Sequence, residues 1–130
     1  MKSKFKLVVE SNFNNWNSAL LTKDPKKVAQ LYSSDATFLP TVSPEFKKGK
    51  KGAEEYFTHF LKKNPVGKII KDAIQITGIN CYLHSGMYNF EIGEKGNRQV
   101  VEARFSLVWK GDNKNKWKII HHHSSIKPKK

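Results

Sequence analysis

The second half of the chain limits the possible folds most, because it carries four long runs rich in Ile, Val, Tyr and Phe. The runs are KIIKDAIQITGI, CYLHSGMYNFEI, RQVVEARFSLVW and KWKIIHHHSSI, and they are separated by GIN, GEKGN and KGDNKN. β-Branched and aromatic residues favour strands, and the Gly, Asn and Asp between them favour tight turns. The pattern predicts long strands joined as antiparallel hairpins.

The first half of the chain carries helical patterns instead. Four apolar side chains recur at helical spacing and predict the buried face of a first helix: Val9, Phe13, Trp16 and Leu20. A short second helix is predicted to begin at Asp24, a good N-cap, followed by Pro25 at the first helical position. Its predicted apolar stripe consists of Val28, Leu31 and Tyr32.

The next segments complete the plan of the fold. ATFLP predicts a short strand, and the polar residues 43–52 predict a loop. GAEEYFTHFLKKNP predicts a third helix, whose early glutamates and late lysines suit the helix dipole. Helices followed by an antiparallel sheet define an α+β class, and a strongly curved sheet around about three N-terminal helices makes a cone with an open mouth.

Length and composition narrow the setting in which the chain works. The 130 residues predict a single domain spanning 1–130. The lone Cys81 excludes an internal disulfide and no apolar run can span a membrane, so we expect a cytoplasmic protein with no membrane partner. The net charge of +13 comes mainly from scattered lysines, which are poorly suited to bidentate recognition, so we expect no specific nucleic-acid partner.

Several stretches resemble a known family: FNNWNSALLTKDPKKVAQLYSSDATFLPT, YFTHFLKKNPVG, SGMYNF, EARFSLVW and WKIIHHHSS. Together with the order of helices and strands, they resemble the nuclear transport factor 2-like superfamily, also called cystatin-like or SnoaL-like. Within it, the chain from about Ser11 to Pro128 is similar to bacterial stand-alone relatives of the calcium/calmodulin-dependent protein kinase II association domain.

This resemblance implies the curved cone and self-association as a homodimer or larger ring. It also implies a pocket for a small apolar or carboxylate ligand. Other members of the superfamily are isomerases, dehydratases and polyketide cyclases that act inside the cone, so the resemblance leaves the function open between binding and catalysis.

The three consecutive histidines near the C-terminus lie on two faces of the last predicted strand, because side chains alternate along a strand. His121 and His123 share one face, and His122 lies on the other with Ser124. The preceding run has one uniformly apolar face, formed by Val101, Ala103, Phe105, Leu107 and Trp109.

The register of the last hairpin decides how these faces combine. With Arg104 opposite His123, polar groups gather on one face, whereas a slip of one residue places Arg104 beside His122. We favour the first register because it pairs like with like. It predicts a cluster of Glu102, Arg104, His121 and His123.

This cluster has three interpretations that the sequence leaves open: the polar end of the pocket, a subunit interface, or a solvated surface. As a pocket, it would use Arg104 to bind an anionic or carbonyl oxygen and a histidine to move a proton. The predicted ligand-binding residues are Arg104, Tyr88, His123, His121, Glu102, Trp16, Tyr32 and Phe57. The aromatic members among them are also typical of an ordinary core.

The candidates for acid–base catalysis are His121, His123 and Asp35, although Asp35 is more typical of a residue that caps its own turn. No cofactor motif is present, so we expect no cofactor. His121 and His123 could place two imidazoles on one metal ion with Glu102 as a third ligand, but no further His or Cys stands at a familiar ligand spacing, so we expect no native metal. Two hypotheses remain. The first is a non-catalytic, self-associating ligand-binding module. The second is a cofactor-independent isomerase, dehydratase or cyclase acting on an apolar carbonyl compound, and we favour the first because no catalytic constellation is evident.

Overall fold

The computed structural model describes residues 2–129, with side chains from Phe5 to Lys129. The helices are α1 (Lys2–Leu21), α2 (Pro25–Ala29) and α3 (Gly49–Phe60), and a 3-10 turn follows at Leu61–Lys63. The strands are β1 (Tyr32–Leu39), β2 (Lys47–Lys48), β3 (Val66–Gly78), β4 (Cys81–Ile92), β5 (Gln99–Gly111) and β6 (Trp117–Ile126). The predicted α+β class is confirmed.

The strands form a six-stranded sheet in the order β2-β1-β6-β5-β4-β3. Strands β3 to β6 pair as three successive antiparallel hairpins, as the turn residues predict. Strand β1 runs parallel to β6, which departs from the predicted all-antiparallel pattern. This pairing is possible because α3 and four strands, β2 to β5, separate β1 from β6 in the chain, and a parallel pair needs a long connection.

The helix predictions are confirmed where the local signals are strong. The four residues of the predicted α1 stripe are between 1% and 5% exposed: Val9, Phe13, Trp16 and Leu20. At the start of α2, the Asp24 side chain accepts a hydrogen bond from the backbone N–H of Lys26 at 3.0 Å, as an N-cap does. No helix within residues 2–129 is both long enough and apolar enough to cross a bilayer.

Three boundaries differ from the predictions. Helix α2 ends at Ala29, and Tyr32 belongs to β1 because the Leu31 carbonyl already accepts from the Ile119 N–H of β6. The segment predicted as a loop contains β2, and α3 starts at Gly49 rather than Gly52. The earlier start leaves the glutamates outside the first turn of α3, so they do not face the helix N-terminus as predicted.

The helices cover one face of the sheet, which we call the inner face, and we call the opposite face the outer face. Along β4, Tyr82, His84, Tyr88 and Phe90 lie on the inner face and are buried. Pairing between β3 and β4 is irregular after Ile69, which bends the edge of the sheet. The bend brings two backbones together, since a Cβ on Gly86 would lie 2.0 Å from the Lys71 carbonyl oxygen. The sheet thereby curls around an aromatic core.

Candidate functional site

A chain of hydrogen bonds crosses this core, and His122 is at its centre. The imidazole projects from β6 onto the inner face and is 2% exposed. Its Nδ1 lies 2.8 Å from the Tyr32 hydroxyl, and its Nε2 lies 3.2 Å from the Tyr88 hydroxyl. The Tyr88 hydroxyl donates to Ser124 Oγ at 2.6 Å, and Ser124 shares a further hydrogen bond with Thr41. The chain therefore connects β1, β4 and β6 through side chains alone.

The partners determine which nitrogen of His122 carries the hydrogen. Since the Tyr88 hydroxyl donates to Ser124, its oxygen is left to accept from His122 Nε2–H. Nδ1 then accepts from the Tyr32 hydroxyl, whose oxygen accepts from Trp16 Nε1–H at 3.2 Å. Each of these buried polar groups has a partner, as buried polar groups require.

Burial keeps the histidine and the two tyrosines of this hydrogen-bond network uncharged at neutral pH. It lowers the pKa of His122 to about 3, with a smaller contribution from the nearby His121 and His123. Burial likewise raises the pKa values of Tyr32 and Tyr88 well above their ordinary range. His122 therefore acts as a hydrogen-bond donor and acceptor, and its protonation at neutral pH is strongly disfavoured.

Aromatic rings fill the space around this imidazole. Phe38 stacks on it with ring centroids 4.8 Å apart, and Trp16 meets it edge to face at 5.8 Å. A cavity of about 10 Å³ remains between His122, Tyr88 and Tyr56, which is room for about one water molecule. The Tyr56 hydroxyl is buried there beside the Thr41 side chain and the Val42 backbone, and it forms no well-aligned hydrogen bond among the described residues. The interior is thus closed to anything larger than water in this conformation.

The four residues of the predicted cluster on the last hairpin lie on the outer face, spread along β5 and β6. Strands β5 and β6 pair Arg104 with Ser125, Ser106 with His123, and Val108 with His121. The favoured register pairs Arg104 with His123, so the observed register is shifted by two residues. A shift of two residues leaves each side chain on the same face of the sheet. Arg104 consequently shares a face with His121 and His123, as predicted.

That face points away from the core, which corrects the pocket interpretation. Glu102, Arg104 and His123 are exposed, and none of the four cluster residues lines the cavity beside His122. Arg104 donates to Ser125 Oγ at 3.3 Å, and His121 Nδ1 lies 2.7 Å from Thr37 Oγ1. The physical reason is strand alternation: the apolar face of β5 takes the core, so the polar face must lie outside.

The other predicted site residues divide between the two regions. The predicted aromatic walls are all at most 1% exposed and surround His122: Trp16, Tyr32, Phe57 and Tyr88. Asp35 is exposed on β1, accepts a hydrogen bond from the Ser33 hydroxyl at 2.8 Å, and does not line the cavity. Within residues 2–129, no three His, Cys, Asp or Glu side chains are grouped closely enough to hold a metal ion.

The predicted set omits His122, the residue on which the interior network depends. Two signals point to it. Alternation places His122 opposite His121 and His123, and a buried Tyr88 requires a polar partner. The missing information is that β1 lies beside β6, which brings Tyr32 to the imidazole.

The curved sheet wrapped around three helices defines the class of this protein, which is the nuclear transport factor 2-like, or cystatin-like, fold. A Salmonella enterica protein of that superfamily has a TM-score of 0.78 with 23% identity, covering 99% of this chain and 95% of the other. Among functionally curated proteins, none matches the chain.

The family within this class follows from the sequence match. Residues 8–128 match the calcium/calmodulin-dependent protein kinase II association domain, and the chain belongs to that family. A solved structure from Xanthomonas campestris, described as this association domain, is 38% identical to this chain and has a TM-score of 0.88. The match covers 94% of this chain and 87% of the Xanthomonas chain. The hub homology domain of the kinase from Chlamydomonas reinhardtii has a TM-score of 0.77 at 17% identity, covering 95% of this chain and 98% of its own.

Proposed function

We propose that this protein is a non-catalytic module that associates with copies of itself and binds a small ligand. Membership of the association-domain family supports self-association, as does the fold shared with a kinase hub homology domain. The observation that carries the proposal is the outer face of the sheet, which no helix within residues 2–129 covers. An antiparallel sheet can leave one face to solvent. A face formed by several long strands, such as β3 to β6, is also suited to packing against a second sheet.

The outer face has small side chains at its centre and apolar ones beside them. Ser85 of β4 pairs with Ser106 of β5, which pairs with His123 of β6. In the adjacent row, Leu83 pairs with Val108, and both are half-buried. Small central residues allow two sheets to approach to the usual spacing of about 10 Å.

The charges on this face suit pairing with an identical copy. A two-fold axis brings each residue of the patch opposite another residue of the same patch. Glu102 and Arg104 lie two residues apart on one strand face, so a second copy can place its arginine against the first copy's glutamate. Burial and the neighbouring His123 lower the pKa of His121, which favours the uncharged imidazole that an interface tolerates. The predicted Arg/His cluster is therefore proposed as part of the interface.

The interior supports a non-catalytic role. The low pKa of His122 makes it a poor proton acceptor at neutral pH, and no carboxylate among the described residues lines the adjacent cavity. One observation favours the second candidate, a cofactor-independent isomerase, dehydratase or cyclase. A neutral imidazole between two phenols can polarise a carbonyl by hydrogen bonding. The cavity of about 10 Å³ is too small for such a substrate unless the surrounding rings move.

The mass of the particle in solution tests the proposed association. Light scattering after size exclusion is expected to give at least twice the 14.9 kDa chain mass for the unaltered protein. Ser106→Lys places a long cation at the centre of the outer face and is expected to yield monomers. Ser106→Ala is the matched control, since it stays small and should leave the mass unchanged. A monomeric unaltered protein at high concentration contradicts the proposal.

A further inference from the structure

We propose that a cluster of lysines around the Gln30 carbonyl binds the phosphate dianion of a small phosphorylated compound. The cluster, which we call the Gln30 cluster, consists of Lys50 from α3, Lys110 from β5 and Lys118 from β6. This inference deepens the proposed function by naming a ligand class and its place on the surface. It rests on that function only in treating the chain as a ligand-binding module.

The Gln30 carbonyl oxygen holds two of these cations close together. It accepts hydrogen bonds from the Lys50 ammonium at 3.3 Å and from the Lys118 ammonium at 2.5 Å. The Lys50 ammonium also donates to the Tyr32 carbonyl at 2.8 Å. Because the two ammoniums share one acceptor, their nitrogens are no more than about 6 Å apart. Like charges at this distance repel each other, and an anion bound to both would relieve the repulsion.

Lys110 adds a third positive charge to the cluster. It pairs directly with Lys118 across β5 and β6, so the two side chains lie on the same face of the sheet. Like charges in such a pair destabilise a sheet. The pKa of Lys50 is lowered, first by burial and then by the Lys118 ammonium, so these two charges also act on each other. The fold therefore keeps three mutually repelling cations in one place.

Carboxylates of the described residues do not neutralise the cluster. None of its three ammoniums lies within 4.0 Å of a described carboxylate oxygen. Asp35 of β1 lines a depression beside Lys50, but its carboxylate accepts from the Ser33 hydroxyl. Asp112, in the turn after β5, accepts from backbone N–H groups of that turn and interacts with Lys116. An anion from solution is thus the missing partner.

Backbone contacts fix the position of the cluster. Gly49 has a φ of +67°, and a Cβ there would lie 2.8 Å from the Ser34 carbonyl oxygen. Only glycine therefore allows α3 to approach β1 closely enough to bring the next residue to the Tyr32 carbonyl. The Ile119 N–H donates to the Leu31 carbonyl at 2.7 Å, which places the start of β6 beside the end of α2. The cluster is accordingly formed before any ligand binds.

The arrangement favours a single phosphate group. Lysine ammoniums bind phosphate as point charges, whereas planar recognition of a carboxylate is better suited to arginine, which the cluster lacks. Ammoniums about 6 Å apart can each reach a different oxygen of one phosphate. The hydrogen bonds of both lysines to Gln30 lie at exposed positions, so a ligand in solution can reach them. A nucleic-acid backbone needs an extended row of cations, and the cluster is compact.

Phenyl phosphate is a suitable probe, because it is a small dianion at pH 8. The titration is followed by backbone amide signals in a proton–nitrogen NMR spectrum at low and constant ionic strength. The Lys50 and Lys118 signals are expected to shift and to saturate. Benzoate has the same ring but a single charge, so it is expected to bind at least about threefold more weakly. A short thymidine oligonucleotide, which offers phosphodiesters instead, is expected to bind no more tightly than phenyl phosphate.

A matched pair of lysine variants tests the place of binding without altering the core. Lys118→Gln is expected to weaken phenyl phosphate binding by about threefold to fivefold. Lys95→Gln removes the same charge in the turn between β4 and β5, at the opposite end of β5 from Lys110, and should leave binding unchanged.

Three results would each overturn the proposal: equal effects of the two variants, benzoate binding as tight as that of phenyl phosphate, or tighter binding of the oligonucleotide. An oligomeric protein that does not bind phenyl phosphate would refute this inference and leave the proposed association standing. Binding by a monomeric protein would refute the association and leave this inference standing.

Discussion

Acidification from pH 8 to pH 5 is expected to destabilise the protein through His122. The imidazole is buried and its pKa in the folded protein is about 3, against an ordinary value of 6.5. A group whose pKa is depressed by folding contributes stability above its unfolded pKa, and this contribution is lost as the pH falls. Below about pH 6.5, the unfolded chain therefore binds a proton at His122 that the folded protein does not.

The size of the effect follows from the two pKa values. Integrating the difference in bound protons between pH 8 and pH 5 gives a loss of about 2 kcal/mol from this one residue. Burial is also the main reason that the pKa values of His84 and His121 are lowered, so these two residues likewise make the folded protein less stable as the pH falls. A variant that lacks only His122 separates its share from theirs.

His122→Gln is such a variant, because the amide keeps one donor and one acceptor without titrating. Urea unfolding followed by tryptophan fluorescence gives the free energy of unfolding of both proteins at pH 8 and pH 5. The unaltered protein is expected to lose about 2 kcal/mol more than the variant over this range. Equal losses would refute the reasoning. Should the variant fail to fold, an NMR titration of the unaltered protein decides the matter, since a His122 midpoint near 6.5 gives the same refutation.

Two further pairs of substitutions test the interior and the bend of the sheet. Tyr88→Phe removes a hydroxyl that His122 and Ser124 both need, so urea unfolding is expected to show a loss of about 1–3 kcal/mol. Tyr56→Phe removes a hydroxyl that forms no well-aligned hydrogen bond and is expected to cost clearly less stability than Tyr88→Phe; an equal loss in both variants contradicts the network. Gly86→Ala places a methyl group against the Lys71 carbonyl and is expected to cost about 3 kcal/mol or more in thermal or urea unfolding. Gly78→Ala meets only the Cys81 side chain at 3.8 Å and is expected to change stability by about 0.5 kcal/mol or less, and similar costs at both glycines would count against the close approach.

Much of the fold could be predicted because its signals are local. The stripe on α1, the cap at Asp24 and the turns between long strands each depend on neighbouring residues only. The parallel pairing of β1 with β6 depends on where two distant segments meet, and no local pattern encodes it. The same limit explains the assignment of Tyr32 to a helix, since only its pairing with Ile119 shows that it belongs to a strand.

The site could be predicted in part for a similar reason. Alternation correctly places Arg104 with His121 and His123, because it is a property of one strand. Which face of the sheet the helices cover depends on the whole fold, so the cluster could not be placed inside or outside from the hairpin alone. The buried partner of Tyr88 is His122, the histidine that a search for clustered polar groups leaves out.

Contacts between copies test the central claim most directly, namely that the outer face of the sheet is the self-association surface. An isotope-filtered NOE experiment on a mixture of labelled and unlabelled protein detects only contacts between different copies. Methyl groups of Leu83, Met87 and Val108 on the outer face are expected to show such contacts. Intermolecular contacts confined to α1 or α3, or none at all from the outer face in a sample whose mass is that of an oligomer, would contradict the claim.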